Sequence, residues 1–420
     1  MSSIYDACFK VLKNVLKEKE LFSVSLKRYA NGIQKVDFQH VSSLSGLYLR
    51  NYYFISTLSE DIIGTVDLEP KIYLGLAFVN IGIKKIVDEE ETIKYLRNKL
   101  SLYQIKFDED KTAKFLNAIK DKRSYLKNYY ANKSKKSGFK YLSSRNNLPE
   151  WVVTSLIKQY DKDISIKTIN AMTKMPRQFA LINTLLPNEI NENFVSGFNH
   201  IEGDLYELNS TSSIRKHVNV RNGGILPVQL GEYDFLKSLP EIKNGNVTMY
   251  FEGRNGIYAS FAKKYLAENK VSLISPFQKD NPELFSKVKG QRTPNLDIYM
   301  NNESGIVAHL SEKQDLMIFM PYSSDLELLR RIPEYGILFD TNTLDAIIEN
   351  ENKGLDDVTQ YVKEGGYLVY AVPTFNIKET LIVSKTFLAN HKEYSLEKEK
   401  LFFPYEKENS VFYFAIYKRK

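Results

Sequence analysis

Asp315-Leu316-Met317-Ile318-Phe319-Met320-Pro321-Tyr322-Ser323-Ser324 is the stretch whose reading decides the fold. Its apolar run, Leu316 to Met320, is too short for a buried helix and is closed by a proline, so it reads as a strand covered on both faces. The same signature recurs on either side, at Val247–Phe251, Val271–Ser275, Leu296–Met300 and Tyr367–Val372, with helical segments between. That alternation predicts an α/β domain with a mostly parallel sheet. Val411–Tyr417, rich in aromatics, fits an added antiparallel strand, and no internal repeat or low-complexity tract is present.

Further upstream the period changes. Ile4, Cys8, Val11, Leu12, Val15 and Leu16 recur at helical spacing, with Lys10, Lys13, Lys17 and Glu18 on the other face. Apolar runs at Val41–Ile63 and Ile72–Ile83, then periodic segments at Thr92–Tyr103 and Thr112–Tyr125, extend the pattern. Helices joined by short connections predict an all-α bundle over residues 1–130. Cys8 lies on the apolar stripe and reads as core. Residues 131–149 read as a basic linker. Residues 150–235, with a helix at Trp151–Tyr160 and a short strand at Phe179–Asn183, read as a small α/β connector. A Rossmann-like domain is expected over 236–420.

Composition narrows the classes of function. The 420 residues are 43% hydrophobic, ordinary for globular domains. No run approaches the roughly 18 apolar residues of a membrane span; the best, Ile72–Ile83, is broken by Asn80. The first residues lack the basic-then-apolar layout of a signal peptide. Cys8 is the sole cysteine, so neither an internal disulfide nor a cysteine metal cluster is available. A soluble, cytoplasmic protein is the expectation. A net charge of +7 and a pI near 8.9 favour an acidic partner, nucleic acid first.

Candidate groups are few. Lys122, Arg123, Lys127, Lys133, Lys135, Lys136, Lys140 and Arg145 are interleaved with Tyr125, Tyr129, Tyr130 and Tyr141. Such a stretch suits phosphate neutralisation and base stacking, and equally a solvated linker. The five histidines are scattered without metal-ligand spacing, and no nucleophile elbow or phosphate-binding loop of the GxxxxGKS kind occurs. Phe251-Glu252-Gly253-Arg254-Asn255-Gly256 follows a strand and precedes the helical Ala259–Leu266. Its glycines suit close backbone approach to a cofactor, or merely a tight turn.

Two longer stretches carry a family resemblance. Asp315–Ser324, continuing to Leu328-Leu329-Arg330-Arg331-Ile332-Pro333-Glu334, resembles the fourth motif (FDxxLLDAPCS, then LRRxPD) of the bacterial 16S ribosomal-RNA cytosine-C5 methyltransferases of the RsmB, Sun or Fmu type. Lys363-Glu364-Gly365-Gly366-Tyr367-Leu368-Val369-Tyr370-Ala371-Val372-Pro373-Thr374, continuing to Glu379, resembles the sixth (KxGGxLVYxTCS). Upstream, Leu148–Val153 is similar to the family's HPSWLL and Pro176–Asn183 to its RPPxxLRIN. Gly224–Gln229 resembles the segment ending VQD, with Leu230 for the aspartate. The resemblance covers nearly the whole chain. It implies a NusB-like helical domain before a Rossmann-like methyltransferase domain, S-adenosylmethionine as family cofactor, and ribosomal RNA as substrate.

The departures from that family concern chemistry. Cytosine C5 is a poor nucleophile, and the family adds a thiolate to C6 first. The resemblance places this nucleophile at Pro373, and the second cysteine at Ser323, or at Tyr322 if the proline is matched instead. Met320 stands for the fourth-motif aspartate, Pro276 for the acid that grips the ribose, and Asn301 for the third-motif aspartate. In the cofactor loop only Gly256 of the paired glycines remains, near Gly253, with Met249 and Ile257 for the aspartate and lysine. The expectation is a pseudoenzyme that retains no catalytic residue, binds no cofactor tightly and holds no metal. It would contact RNA or ribosomal particles through Lys122, Arg123, Lys133, Lys135, Lys136, Arg330 and Arg331. The alternatives are an active methyltransferase with altered chemistry and a protein-binding module built on the helical domain.

Overall fold

The computed structural model describes residues 2–30, 34–65, 67–131, 137–174, 176–183, 197–209, 224–252, 261–262, 264–275, 296–300, 310, 312–406 and 411–420. The chain folds as two units. One comprises Met1–Lys174 with Leu328–Phe339, the other Met175–Glu327 with Asp340–Lys420.

The first unit is helical, as the period of its sequence dictates. It runs α1 (Ser2–Lys17), α2 (Phe22–Ala30), α3 (Lys35–Arg50), α4 (Tyr52–Ile63), α5 (Leu68–Val79), α6 (Glu89–Ser101), α7 (Glu109–Lys120), α8 (Lys122–Ala131), α9 (Ser137–Asn146), α10 (Glu150–Gln159) and α11 (Lys162–Met172). Helix α5 is apolar nearly all round and buried from Pro70 to Val79, as a central helix must be. Gly75 permits this depth, since a Cβ there would stand 2.2 Å from the Tyr48 ring. Asn80, the residue that interrupts the apolar run, is fully buried. Its amide donates to Val87 O (2.8 Å) and Thr92 Oγ1 (2.9 Å) and accepts from the N–H groups of Ile86 and Val87. It ends the helix in a π-turn, Asn80–Lys84, without leaving polar groups orphaned. No described helix is long and apolar enough to cross a membrane. Cys8 is in the core, its thiol facing Val41 O.

Three readings of the sequence differ from this unit. The stretch expected as a linker over 131–149 carries α9, which buries Ser143 and Ser144. Its polar composition conceals a packed face built on hydroxyl groups. Helices α10 and α11, expected in the connector, belong to the helical unit because Val152, Val153, Leu156, Ile169 and Met172 turn inward. The segment Leu328–Phe339, expected as part of the Rossmann-like domain, also packs in the helical unit. Glu334 accepts the Phe22 N–H (2.9 Å), Tyr53 Oη donates to Gly336 O (2.9 Å), and Phe339 stacks on Trp151.

The second unit is built on a seven-stranded sheet. Its strands are β5 (Asn246–Phe251), β6 (Lys270–Ser275), β7 (Leu296–Met300), β8 (Gln314–Met320), β9 (Val362–Val372), β10 (Tyr394–Phe402) and β11 (Phe412–Arg419), in the order β7-β6-β5-β8-β9-β11-β10. The five strands expected from apolar runs are parallel. β11 is antiparallel to both its neighbours, as its aromatic sequence suggested. One face packs on Phe235 and Leu236 of α12 (Leu230–Ser238), the other on Leu355 and Val358 of α13 (Leu344–Val358) and Phe387 of α14 (Leu381–Asn390). A four-stranded antiparallel sheet, order β2-β3-β1-β4, precedes it: β1 (Phe179–Ile182), β2 (Phe198–Glu202), β3 (Leu205–Leu208) and β4 (Ile225–Val228). Phe179, Leu181, Leu205, Leu226 and Val228 join the core of the larger sheet.

Candidate functional site

Strand order reverses between β5 and β8, the point at which doubly wound sheets take their ligands beyond the strands' carboxyl ends. Glu252, the residue after β5, stitches this place together. Its N–H donates to Met320 O (2.8 Å), one carboxylate oxygen accepts the Tyr322 N–H (2.6 Å), and the other accepts the Tyr250 hydroxyl. Met320 itself is buried and apolar.

The loops after β8 and β9 meet beside it. Ser324 Oγ and Thr374 Oγ1 are 2.9 Å apart, and Ser323 Oγ donates to Asp325 Oδ1 (2.9 Å). Glu379 gathers the pair: one oxygen accepts the Ser324 N–H (2.6 Å) and the other the Asn376 side-chain amide (2.7 Å). Tyr370 Oη donates to the Glu379 carbonyl (2.7 Å), and Pro373 O accepts from Glu327 N. Ser323, Ser324, Thr374 and Glu379 are fully buried, and Pro373 is buried with them. Burial pushes the Glu379 carboxyl above its ordinary range, although the Ser324 and Asn376 donors oppose this. Behind it Glu351 of α13 is fully buried, and among the described residues no donor meets either of its oxygens in ordinary hydrogen-bond geometry. Burial first, then the neighbouring Glu379 and Asp325, push its carboxyl up to about 10, against the pull of the nearby Tyr370 hydroxyl.

The structure brings Ser323 and Pro373 to adjacent loops. Neither carries a thiol. The only cysteine, Cys8, lies in the other unit, where burial pushes its thiol up to about 12 and keeps it neutral. Gly253, Gly256, Pro276 and Asn301 lie outside the described residues, as do Lys133, Lys135 and Lys136. Among the described residues no group of His, Cys, Asp or Glu is arranged to hold a metal ion.

The remaining basic candidates are dispersed. Lys122 lies over the Phe54 ring (4.5 Å), and burial pulls its ammonium down to about 8. Arg123 is exposed and Arg331 half-buried. Arg330 is buried, its Nε and Nη2 donating to Lys174 O at 3.2 and 3.1 Å, so its guanidinium is turned into the protein rather than toward a phosphate. The interleaved tyrosines are engaged too. Tyr125 donates to Asp61, and Tyr130 shares hydroxyl contacts with Thr57 and Ser144. Glu252 stands inside the Phe251–Gly256 loop singled out from the sequence, but only its hydrogen bonds give it a role there. Glu351 stands in no shared motif, and its burial reveals it.

Sheet order, switch point and antiparallel last strand define a Rossmann-like fold of the methyltransferase kind, joined to a helical unit. No family model matches the sequence, and no curated protein matches it. Solved structures do. The crystal structure of PH0851 superposes with a TM-score of 0.72 at 14% identity, over 100% of this chain and 99% of the other. A methyltransferase homolog protein from Pyrococcus horikoshii gives 0.53 at 14% identity, over 66% of this chain and 98% of its own. NSun6 from the same organism, solved with SFG, gives 0.54 at 11% identity, over 64% and 98%. At such identities the likeness establishes the fold.

Proposed function

We propose that this chain is an RNA-binding relative of the ribosomal-RNA cytosine-C5 methyltransferases, of the RsmB, Sun or Fmu type, that no longer transfers a methyl group. The observation that carries the reading is the absence of a thiol where the loops after β8 and β9 converge. Ser323 and Thr374 offer hydroxyls, which are poorly ionised and weakly nucleophilic without a base to activate them. The cofactor side agrees. S-adenosylmethionine presents a ribose diol and an ammonium group, both of which call for carboxylates. The described residues beyond β5, β6 and β8 present Glu252, both of whose oxygens already accept protein donors, and Asp325, which accepts the Ser323 hydroxyl. No step through that cofactor follows from this site.

A helical domain of the NusB kind, a cytoplasmic location and ribosomal RNA or ribosomal particles as partners belong to the same reading, supported by the motif resemblance and the basic charge. Phosphate contacts fall to Arg123, Arg331 and the lysines at 133, 135 and 136, with Arg330 left out. Two measurements test the proposal. Undermethylated ribosomal RNA incubated with the protein and labelled S-adenosylmethionine should gain no label, and methylation at a cytosine C5 overturns the catalytic half. Affinity for a ribosomal stem-loop should fall steeply with salt, and Lys133→Ala, Lys135→Ala and Lys136→Ala together should flatten that slope. An affinity no greater than that of an unrelated protein of equal charge overturns the RNA half.

A further inference from the structure

A lysine packed against a protein ordinarily ends on an oxygen, and several here do. Lys13 pairs with Glu69, Lys99 with Asp6, Lys114 with Asp61 and Lys363 with Asp315. Lys264, drawn in beside α12, donates to Leu236 O (2.7 Å) and Leu239 O (2.9 Å). Lys122 ends on a ring instead. It is half-buried at the first position of α8, with its Nζ 4.5 Å from the centroid of Phe54. Among the described residues no carboxylate or other acceptor meets that nitrogen. The acids of these helices are committed elsewhere. Asp121, the preceding residue, accepts the Ser124 N–H (2.9 Å), and Asp61 accepts from Lys114 (2.8 Å) and from Tyr125. The floor beneath the amine is apolar, since Phe54 is fully buried with Phe78 and Tyr125 against its ring. A helix start also carries positive partial charge, which opposes a cation. Burial pulls the ammonium down to about 8, and no neighbouring charge restores it.

We propose that Lys122 is an acylation site, a nucleophilic amine that takes the acyl group of a small acyl phosphate. The inference stands apart from the RNA-binding reading. The neutral amine attacks the acyl carbon and forms a C–N bond. The C–O bond to phosphate breaks, phosphate leaves with that electron pair, and the surplus proton on nitrogen passes to water. Only the neutral amine carries the free electron pair this step needs. Near pH 7 an amine titrating at about 8 holds roughly 300-fold more of that form than one at the ordinary 10.5. A less basic nucleophile is a weaker one, which returns part of the gain and leaves about tenfold. The setting also selects the product. An amide is neutral, so forming it breaks no ion pair and relieves the helix start of a cation. A modification that kept the positive charge, such as methylation, would gain neither advantage.

The test treats the full chain with acetyl phosphate, folded and unfolded in guanidinium chloride, and maps acetyl groups onto individual lysines by peptide mass spectrometry. Near neutral pH the folded chain should take label at Lys122 about tenfold faster than at the exposed Lys127 of the same helix. In the unfolded chain that advantage should disappear, because the apolar cover is gone. With rising pH the folded rate at Lys122 should bend to a plateau just above about 8, where the amine is fully neutral. Three results each overturn the inference: equal rates at Lys122 and Lys127, an equal rate at Lys122 in folded and unfolded chain, or a folded rate that climbs through about pH 8 without bending. The parent chain serves throughout, so no outcome turns on whether a variant folds. None of them touches the RNA reading, which leaves Lys122 out of its phosphate contacts.

Discussion

At the scale of single residues, Glu351 is a carboxyl that the sheet unit buries. Burial first, then Glu379 and Asp325, push its carboxyl in the fold up to about 10, with the Tyr370 hydroxyl opposing them. The unfolded chain ionises it at the ordinary 4.5. The folded state therefore keeps a proton that the unfolded state releases, and this group's contribution favours folding least at high pH. Stability falls by up to about 1.4 kcal/mol per pH unit as pH rises from 4.5 toward 10. Glu351→Gln should remove that slope: its melting temperature should match the parent near pH 4.5 and exceed it at pH 8. Parallel melting curves from pH 4.5 to 9 would show that Glu351 is charged in the fold. Asn80 is the opposite case, a buried polar residue whose bonds are all satisfied. Asn80→Ala strands two N–H donors, a carbonyl and a hydroxyl near the π-turn, and should cost roughly 3 kcal/mol in urea unfolding. A loss below about 1 kcal/mol would mean that water replaces the amide.

Among the elements, the parallel strands were legible because each is a short, largely apolar run, and β5, β6 and β8 are buried on both faces. β10 was not: Glu397, Lys398, Glu399 and Lys400 stand in solvent at the sheet's edge, where charge discourages pairing with another chain. Helix α9 was missed because its packing is by Ser143 and Ser144, residues that also suit loops. Of the small antiparallel sheet only β1 was seen, since β2 is largely exposed and carries no clean alternation. At the site, Ser323 and Pro373 lie on meeting loops, whereas the role of Glu252, inside a loop already singled out for its glycines, became visible only when three hydrogen bonds converged on it. Helix α13 offers an element-scale test. Gly354 lies where a Cβ would be 2.3 Å from the Phe319 ring, so the helix sits directly on β8. Gly354→Ala should destabilise the protein by about 1–3 kcal/mol through overpacking, against the gain that alanine ordinarily brings to a helix interior. A more stable variant would show that the ring can move aside.

For the whole molecule, cofactor affinity and unit integrity are the measurable properties. Calorimetry with S-adenosylmethionine should give no micromolar binding, which corresponds to about −8 kcal/mol. Pro276→Asp alone should not restore it, since Met320 and the occupied Glu252 remain. A fragment ending at Lys174 should be incompletely stable, because Glu334, Gly336 and Phe339 supply partners to Phe22, Tyr53 and Trp151 from a distant part of the sequence. A peptide spanning 328–339 should raise its melting temperature when added in excess. If the fragment melts cooperatively and the peptide changes nothing, the segment is an ornament of the helical unit.

That returning segment also sets a schedule. The helical unit is encoded almost entirely in the first 174 residues, yet its last piece leaves the ribosome only with Phe339. At a synthesis rate of about 5–20 residues per second the delay is on the order of 10 s, long compared with the folding of helices. During that interval the nascent bundle presents unfilled sites at Phe22, Tyr53 and Trp151, and early translation pauses within residues 175–327 would prolong its exposure to chaperones and proteases. Synonymous codon choice in the gene, which leaves every contact of the finished protein unchanged, therefore bears on how much of it survives to be used.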